Sequence, residues 1–542
     1  MTASLFSGKY RSVTFFARKA GTQPGYIRIA ETGAECAFRY VQCSHFTAPL
    51  CDETWYQIEF DHVEIVYAYL HEDRNGDPYI AFLQEDGGGF RSYEPEALSS
   101  CIDQPMRCRY HFTPIRGWLN DPNGLCRFRG LYHMFYQFNP ADQVWGNMHW
   151  GHAVSRDLLR WKHLPVALYP QPELMNLPEL RGGAYSGTAV ADDQQLQLFY
   201  TRHIGDHARS WCQEWTVTCA SWDGIHFDGE RACVRDLPRE LGCDFRDPKV
   251  LRYGGEWIML TGTRTDDMPT VSIHCSDDRE IWHYRGLFYV EKDERYIQAE
   301  CPDFIQVDGK DVLLVGYHNR PGSGQIRRDV VYYIGHVEKY RFICEAKGLL
   351  DCGKDFYAVQ TFGNVSPPVL MGWNSDQCRS HVPERNGANG SMSLPRSLHI
   401  HGNELFSRPV DALRGLESEI LCCTGRTGFT CPTEGSYHLH LEWTADSVFQ
   451  VVLVRSDRGV VEMACRNGRL SVSVYGDKFC FDIPAENLDA YVDRSLAEIF
   501  VNHGQRAFTR RFYGNGINYT VQFHGSRPLR QGTVTEVGSI WT

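Results

Sequence analysis

The sequence of 542 residues predicts an all-β protein: a five-bladed β-propeller followed by a C-terminal β-sandwich, with an additional small N-terminal β-domain. Three observations predict this fold. Long helical periodicity is scarce, and short strand-like runs bounded by Gly, Asp, Asn and Pro dominate the chain. Two patterns repeat through the middle of the chain. Both flanking regions alternate between apolar and polar residues.

The N-terminal region, residues 1–105, contains alternating segments such as WYQIEFDHVEIVYAYL and DPYIAFLQ. A period of two is typical of strands with one buried face. These segments predict a small β-rich domain, which lies outside the repeats that follow.

The middle region, residues 106–408, contains five apolar runs that begin about 55 to 65 residues apart. A period of this order fits propeller blades of about four strands each. We therefore predict one blade for each run. The runs begin at Leu131, Leu196, Glu256, Asp311 and Pro368.

A second repeat has the form S-x-D-x-x-x-aromatic and follows a short apolar strand each time. It predicts a strand, a polar turn and an aromatic side chain that packs between blades, so these residues are structural rather than catalytic. The three copies begin at Ser155, Ser221 and Ser276 and end at Trp161, Phe227 and Trp282.

The C-terminal region, residues 409–542, returns to simple alternation in YHLHLEW, FQVVLVRS, LSVSVYG, AEIFVNH and YTVQFH. Several such strands without long helices predict an antiparallel sandwich. The predicted domain limits are therefore 1–105, 106–408 and 409–542.

The charge balance of the chain limits the kinds of molecule that the protein is expected to bind. The chain has 55 Lys and Arg against 67 Asp and Glu, a formal net charge of −12. This argues against nucleic acid or an anionic membrane as the main partner, and a neutral small substrate is compatible with it. Aromatic residues make up 13% of the chain, which suits both β-rich packing and the binding of sugar rings.

The cysteine pattern predicts neither a metal centre nor a redox motif. The 20 cysteines are scattered and form no C-x-x-C. We expect free thiols in a reducing cytoplasm, because the N-terminal segment does not resemble a signal peptide. His149 and His152 form an H-x-x-H on strand-like residues without a nearby carboxylate cluster, so we expect a packed or surface pair, no zinc and no cofactor.

The densest motif is Trp118–Gly124, W-L-N-D-P-N-G. By local chemistry alone, Asn120 to Gly124 is a turn, since Asn and Asp initiate turns, Pro fixes φ and Asn-Gly supplies a positive φ. On that interpretation Asp121 is structural.

The stretch from His111 to Trp161 resembles the invertase, inulinase and levanase family of β-fructosidases, glycoside hydrolase family 32. The W-x-N-D-P-N-G element is the hallmark of that family, and the resemblance extends over about residues 109–540. Further matching elements are Tyr185–Thr188, Arg246–Pro248, Glu300–Asp303, Asp355–Ala358, Gln360–Phe362, Gly372–Trp373, Met392–Arg396 and Val492–Phe500.

The resemblance implies a five-bladed propeller with an axial pocket, a C-terminal β-sandwich and three catalytic acids. Asp121 would attack the anomeric C2 of a fructosyl unit, and Glu300 would be the acid/base. Asp247 would hold fructose hydroxyls and stabilise the transition state. The candidate substrate-binding residues are Trp118, Asn120, Gln137, Trp145, Tyr185, Ser186 and Arg246.

A retaining glycosidase needs a carboxylate nucleophile and a carboxylic acid about 5–5.5 Å apart. The pKa values of the two groups must be separated by different environments. We therefore expect hydrogen-bond donors to keep Asp121 ionised. We expect a dry, carboxylate-rich environment to raise the pKa of Glu300.

The sequence leaves the substrate open. We predict sucrose or short fructo-oligosaccharides in the cytoplasm. The alternatives are an inulinase or levanase, a sucrose-6-phosphate hydrolase, an inverting five-bladed hydrolase acting on arabinan or xylan, and a non-catalytic fructan-binding propeller. Tyr185 stands where the family commonly has Phe, and Val359 where it has Pro, which puts specificity in doubt rather than activity.

Residues 1–105 are expected to shape the leaving-group side or to form a homo-oligomer contact.

Overall fold

The structure is a computed structural model that describes residues 1–541 except 176, 207, 210, 243, 321–327, 376–386, 456–459 and 514–518. Within the described residues the strands form eight sheets, which confirms the predicted all-β class. No described helix is long and apolar enough to span a membrane. The helical segments in the described part of the chain are one α-helical turn, α1 (Ser99–Ile102), and 3₁₀ turns at Pro95–Ala97, Pro172–Met175 and Asp411–Leu416.

The N-terminal region forms one nine-stranded sheet that curls into a nearly closed, barrel-like shape. The alternation seen in the sequence decides which side chains lie inside: in β6, Tyr56, Ile58 and Phe60 are buried, and the residues between them point outward. The strands are β1 (Thr2–Phe6), β2 (Tyr10–Lys19), β3 (Gly25–Ile29), β4 (Glu35–Phe38), β5 (Ser44–Pro49), β6 (Trp55–Asp61), β7 (Val63–Asp73), β8 (Ala81–Asp86) and β9 (Gly89–Tyr93).

The next five sheets are the blades of the propeller. Blade 1 contains β10 (Gly117–Phe128), β11 (Leu131–Asn139), β12 (His149–Ser155) and β13 (Trp161–Leu168). Blade 2 contains β14 (Arg181–Ala191), β15 (Leu196–Asp206), β16 (Trp211–Ser221) and β17 (Asp228–Val234). Blade 3 contains β18 (Arg246–Tyr253), β19 (Glu256–Thr265), β20 (Met268–Ser276) and β21 (His283–Val290).

Blade 4 contains β22 (Tyr296–Val307), β23 (Lys310–Asn319), β24 (Arg328–Glu338) and β25 (Arg341–Leu349). Blade 5 contains β26 (Phe356–Thr361), β27 (Val369–Asn374), β29 (Ser391–Met392), β30 (Arg396–His401) and β31 (Glu404–Pro409), and β28 (Ala388–Asn389) lies between β27 and β29 in the chain. The five repeated runs of the sequence are β11, β15, β19, β23 and β27, the second strand of each blade.

The second sequence repeat forms the predicted turns. In blade 1 the Ser155 hydroxyl donates to Asp157 Oδ1 (3.0 Å), which also accepts the N–H groups of Leu159 (3.0 Å) and Arg160 (2.7 Å). The carboxylates of Asp223 and Asp278 accept backbone N–H groups in the same way. The closing aromatics pack between blades, in the ring pairs Trp161–Phe362, Phe227–Phe135 and Trp282–Phe199.

The innermost strands β10, β14, β18, β22 and β26 contact one another in order, and β26 returns to β10. The ring is closed by β28, which pairs in parallel with the start of β10 through Gly117 and Trp118. This closure brings five strands from distant parts of the sequence to one axis.

The C-terminal region forms two six-stranded antiparallel sheets, in agreement with the predicted sandwich. One sheet contains β32 (Glu417–Cys422), β43 (Gln531–Val537), β34 (Ser436–Glu442), β39 (Asn487–Asp493), β40 (Leu496–Val501) and β41 (Arg506–Arg511). The other contains β33 (Gly428–Thr433), β42 (Tyr519–Gly525), β35 (Phe449–Arg455), β36 (Val460–Arg466), β37 (Arg469–Val474) and β38 (Asp477–Pro484). The domain limits themselves stay a prediction; the sheets change between Tyr93 and Gly117 and between Pro409 and Glu417.

A buried ionic network joins the sandwich to the propeller. Arg396 of β30 is fully buried, and it pairs with Glu498 of β40 (2.7 Å) and with Asp351 (3.0 Å). Nearby, Asp493 of β39 accepts the backbone N–H of His111 (3.0 Å), which precedes the first blade. The matched elements Met392–Arg396 and Val492–Phe500 therefore hold the domains together.

We predict that Glu498→Gln lowers the free energy of unfolding by about 3–5 kcal/mol, because it leaves the buried Arg396 without part of its counter-charge. The pKa of Glu498 is lowered to about 2 by Arg396 and His111 against the effect of burial. The stabilisation is therefore present above the ordinary Glu pKa and is lost as the pH falls toward 2. Urea unfolding across that range measures it.

The matched control is Glu280→Gln, which removes the carboxylate of an exposed pair with Arg231. We expect a change below about 1 kcal/mol for the control. Equal effects of the two substitutions at neutral pH would contradict the assignment of Glu498 to the domain interface.

Candidate active site

Each innermost strand carries a β-bulge at the same level of the ring. The ladders skip two residues of the inner strand at every break, and five of the ten predicted site residues are among those skipped: Asn120, Asp121, Tyr185, Ser186 and Asp247. A bulge bends the strand and changes the direction of its side chains. The breaks fall between Leu119 and Pro122, Ala184 and Gly187, Arg246 and Lys249, Glu300 and Asp303, and Tyr357 and Gln360.

Three bulges place a non-glycine residue in the left-handed region, with φ of 64° at Asp247, 46° at Cys301 and 50° at Ala358. Such backbone is strained and persists only when surrounding contacts impose it. Here the N–H of Asp247 donates to Thr201 Oγ1 (3.0 Å), and the N–H of Cys301 donates to Asp247 Oδ2 (2.9 Å). The bulges of blades 3 and 4 are thus fastened to each other.

The bulges surround one cavity of about 610 Å³, and all the site residues predicted from the sequence line it. These are Trp118, Asn120, Asp121, Gln137, Trp145, Tyr185, Ser186, Arg246, Asp247 and Glu300. Further described residues that line it are His203, Gly205, Asp206, Trp211, Cys212, Asp244, Arg328, Tyr357 and Trp373.

Asp121 is held by hydroxyl and amide donors. Ser186 donates to Asp121 Oδ2 (2.8 Å), and Asn120 is a second donor, its own carbonyl oxygen being engaged by the Trp118 indole N–H (2.7 Å). Burial raises the pKa of Asp121, the two donors lower it, and the charge of Glu300 raises it again. The donors expected from the sequence are present, but their effect is smaller than that of burial.

Asp247 lies in a drier position. The same Oδ2 atom that accepts the Cys301 N–H lies 3.5 Å from the Cys301 thiol sulfur. Burial, followed by the negative charge of Glu300, raises the pKa of Asp247 to about 8. The surroundings of Asp247 therefore favour its protonated form.

Glu300 is surrounded by cations and donors. Arg246 Nε lies 3.1 Å from Glu300 Oε1, and His318 Nε2 lies 2.7 Å from Oε2. The Tyr357 hydroxyl donates to Oε2 (3.0 Å), and Gln298 donates to Oε1 (3.2 Å).

Burial raises the pKa of Glu300, but His318, Arg246 and Arg328 outweigh it, so the pKa lies well below the ordinary value. The direction predicted from the sequence for Glu300 is therefore wrong. Three carboxylates do face one cavity, as expected, but the cations around them come from blades 3 and 4 and favour the ionised form of Glu300.

The remaining predicted residues build the walls. Gln137 donates to the Ala184 carbonyl oxygen (2.9 Å), which fixes blade 1 against blade 2. The rings of Trp145 and Tyr185 meet edge to face with centroids 6.2 Å apart. Trp118 meets Trp373 in the same way at 5.7 Å. The pocket thus combines aromatic surfaces with polar groups, which is the composition of a sugar-binding site.

Sequence reasoning missed the charged and aromatic groups that lie outside the bulges. Tyr357 and Trp373 were part of matched elements but had no assigned role. His318 and Arg328 carried no signal, because they lie on strands β23 and β24, whose sequences simply repeat the blade pattern. Of these residues, only Tyr357 could have been identified from the sequence. It lies at the blade 5 bulge, and extending the blade repeat to that strand would have pointed to it.

One described group has metal-ligand spacing: atoms of Cys108, His111 and Asp493 lie within 4.8 Å of one another. The His111 ring lies between Asp493 (2.9 Å) and Glu498 (3.2 Å), and Asp493 also accepts backbone N–H groups. These contacts belong to the domain interface.

The two histidines of the H-x-x-H pattern lie elsewhere. His149 packs against the ring of Phe16, and His152 lies 3.1 Å from the nearest ring nitrogen of His133.

Comparison with known proteins gives consistent matches along the chain. Residues 111–409 match the Glycosyl hydrolases family 32 N-terminal domain, and residues 433–537 match the Glycosyl hydrolases family 32 C terminal domain. A sucrose-6-phosphate hydrolase of Zymomonas mobilis is 32% identical over 438 residues, covering 73% of this chain and 84% of the relative. A raffinose invertase of Escherichia coli is 32% identical over 461 residues, covering 78% and 94%.

Among solved structures, a glycoside hydrolase family 32 protein from Bifidobacterium adolescentis superposes with a TM-score of 0.91 at 25% identity. The match covers 100% of both chains. It therefore includes the N-terminal sheet, which the two family domains do not cover.

We predict that Arg246→Met moves the basic limb of the pH profile of kcat/KM for a β-fructoside to higher pH. Removing the guanidinium raises the pKa of Glu300, so the protonated acid persists to higher pH. We also expect kcat to fall about 100-fold, since the substitution disturbs the position of Glu300. Arg264→Met is the control, because Arg264 pairs with Asp244 (2.8 Å) rather than with Glu300. A basic limb that stays in place or moves to lower pH in Arg246→Met would contradict the account.

Proposed function

The chain belongs to glycoside hydrolase family 32, and from this we propose that it is a retaining β-fructofuranosidase that hydrolyses terminal β-D-fructofuranosyl units of sucrose and short fructo-oligosaccharides. The observation that carries the proposal is the set of three carboxylates, Asp121, Asp247 and Glu300, in one cavity with three different environments.

In the first step we propose that a carboxylate oxygen of Asp121 forms a bond to C2 of the fructosyl unit. The bond from C2 to the leaving oxygen breaks, and Glu300 gives its proton to that oxygen. In the second step water adds to C2, its proton goes to Glu300, and the bond to Asp121 breaks. Ser186 supports the choice of nucleophile, because its hydroxyl orients Asp121 without neutralising it.

Glu300 must gain a proton before the first step, and we propose that the proton comes from the carboxylate cluster itself. Asp247 holds it before substrate binds. Hydroxyl groups of the fructosyl ring that donate to Asp247 favour its ionised form and lower its pKa. The proton then moves to Glu300, and ionised Asp247 stabilises the positive charge that develops at C2. The three groups titrate together, so a measured profile reports the cluster rather than single residues.

The substrate class rests on the composition of the cavity and on the relatives. A volume of about 610 Å³ accommodates a fructosyl ring with one further sugar, in the range of small-molecule sites. On the leaving-group side, Trp145 and Trp211 are 38% and 49% exposed and present aromatic surface to a sugar face. The relative from Escherichia coli is named a raffinose invertase, which supports a neutral β-fructoside.

A sucrose-6-phosphate hydrolase is the second candidate, because the Zymomonas mobilis relative has that name. Among described residues, the carboxylates of Asp206 and Asp244 line the same cavity; we propose that they lie toward the leaving group, where negative charge disfavours a phosphate. We propose a cytoplasmic location, which the free thiols of described cysteines such as Cys126, Cys275 and Cys301 support.

We predict that the purified protein releases fructose from sucrose and raffinose faster than from inulin or sucrose 6-phosphate. NMR of the first product in a freshly started reaction should show β-fructofuranose, because two displacements at C2 retain the configuration. First release of the α anomer would exclude a covalent intermediate on Asp121. Release of fructose from none of the four substrates would overturn the proposed function.

We predict opposite outcomes when azide is added to two variants. In Asp121→Ala, azide takes the place of the missing nucleophile and gives the α-fructosyl azide. In Glu300→Ala, azide attacks the fructosyl-enzyme and gives the β-fructosyl azide. Both variants should hydrolyse sucrose at least about 100-fold more slowly than the parent protein. The same azide anomer from both variants would contradict the assignment of the two roles.

A further inference from the structure

In the wall of the cavity, blade 2 holds a buried histidine–glutamate pair that has no role in the proposed mechanism; His203 lines the cavity and Glu214 lies next to it. His203 of β15 and Glu214 of β16 lie directly opposite each other in the antiparallel ladder. His203 Nδ1 lies 2.8 Å from Glu214 Oε1, and the two residues are only 6% and 9% exposed.

Glu214 has a second partner across the blade boundary. The same Oε1 atom lies 2.7 Å from Arg246 Nη1, and the other side of that guanidinium, Nε, lies 3.1 Å from Glu300 Oε1. Arg246 therefore stands between Glu214 and Glu300, and it also reaches Asp244 (3.0 Å). A charge on Glu214 therefore changes the electrostatic potential at Glu300, and with it the ease with which Glu300 loses its proton.

The pair is held rigidly on its outer side. The ring of His203 stacks on Tyr185 with centroids 4.2 Å apart and an angle of 5° between the planes. Gln171 donates to the backbone carbonyl oxygen of His203 (2.7 Å). Glu214 is thus fixed through His203 to the aromatic wall, and through Arg246 to Glu300.

The pair is not optimised for stability. Glu214 Oε2 and His203 Nε2 are buried and lack a hydrogen-bond partner among the described residues. A buried polar atom left without a partner costs stability. A carboxylate that serves only structure would be expected to use both oxygens, as Asp303 does with Thr361 and Lys249 deeper in the propeller.

We infer that Glu214 is a positioning residue for the acid/base group: it competes with Glu300 for the charge of Arg246 and so keeps Glu300 able to take up a proton. The inference rests on the proposed function. With Glu214 ionised, Arg246 stabilises ionised Glu300 less strongly than it would alone. Removing the charge of Glu214, while keeping its shape, should make Glu300 harder to protonate.

The other groups that face Glu300 are unchanged by such a substitution. They are Asp121 from β10, Asp247 from β18, His318 from β23, Arg328 from β24 and Tyr357 from β26. The groups that face Glu214 include Arg246, His203 and Tyr185. Loss of the negative charge of Glu214 leaves Arg246 freer to stabilise ionised Glu300 and also removes a direct repulsion of Glu300, so both effects make Glu300 harder to protonate.

The test is Glu214→Gln in the full-length protein, with sucrose and with p-nitrophenyl β-D-fructofuranoside, whose leaving group needs no proton. The basic limb of the pH profile for sucrose should move to lower pH, opposite to the effect of Arg246→Met. At pH values above the basic limb, kcat for sucrose should be lower than that of the parent protein by about tenfold for each pH unit by which the limb has moved. KM for sucrose should stay within about threefold, and the rate with the activated substrate should stay close to that of the parent protein.

Glu230→Gln is the matched control, because Glu230 pairs with Arg202 in the same blade and does not contact Arg246. It should leave both rates and the pH profile unchanged. If Glu214→Gln slows both substrates equally without moving the limb, or moves it to higher pH, Glu214 has only a structural role and the inference fails. If the parent protein itself releases fructose from no β-fructoside, the proposed function fails first and the inference falls with it.

Discussion

Three carboxylates in one buried cavity repel one another, and the arrangement of the site depends on how that repulsion is relieved. Arg246 is the central element, since its guanidinium contacts Glu300, Glu214 and Asp244. The carboxyl groups acquire different pKa values: burial and the charge of Glu300 raise the pKa of Asp247 to about 8, and His318, Arg246 and Arg328 lower the pKa of Glu300 despite its burial. Glycoside hydrolysis needs such a separation between its acidic groups.

The propeller provides the geometry for this separation. Bulges at one level of five strands direct side chains from distant parts of the chain toward the axis, and they do so with backbone that is strained at Asp247 and Cys301. The strain is held by contacts between neighbouring blades. The sandwich adds a second constraint, because Glu498 and Asp493 fasten blade 5 and the segment before blade 1, where the ring closes.

Much of the fold could be predicted from the sequence, because a blade repeat is a local pattern that recurs. The aromatics at Trp161, Phe227 and Trp282 were recognisable for the same reason. The predicted site residues, all of which line one cavity, came from a specific motif; local chemistry alone would have made Asp121 a turn residue. The charge state of Glu300 could not be predicted, because His318 and Arg328 lie on second and third strands that carry no motif. The electrostatic interactions between side chains on different blades exist only once the ring is closed. The sequence does not show which side chains that closure brings together.

The central claim is that Asp121, and neither Asp247 nor Glu300, bonds to the fructosyl unit. The most direct measurement is to react Glu300→Gln with β-D-fructofuranosyl fluoride, which needs no acid to depart, and to analyse the digested protein by mass spectrometry. The account predicts that a fructosyl-enzyme accumulates, with the mass gain of one anhydrohexose on Asp121. A modification on Asp247, or turnover of the fluoride to α-fructofuranose without any covalent adduct, would contradict it.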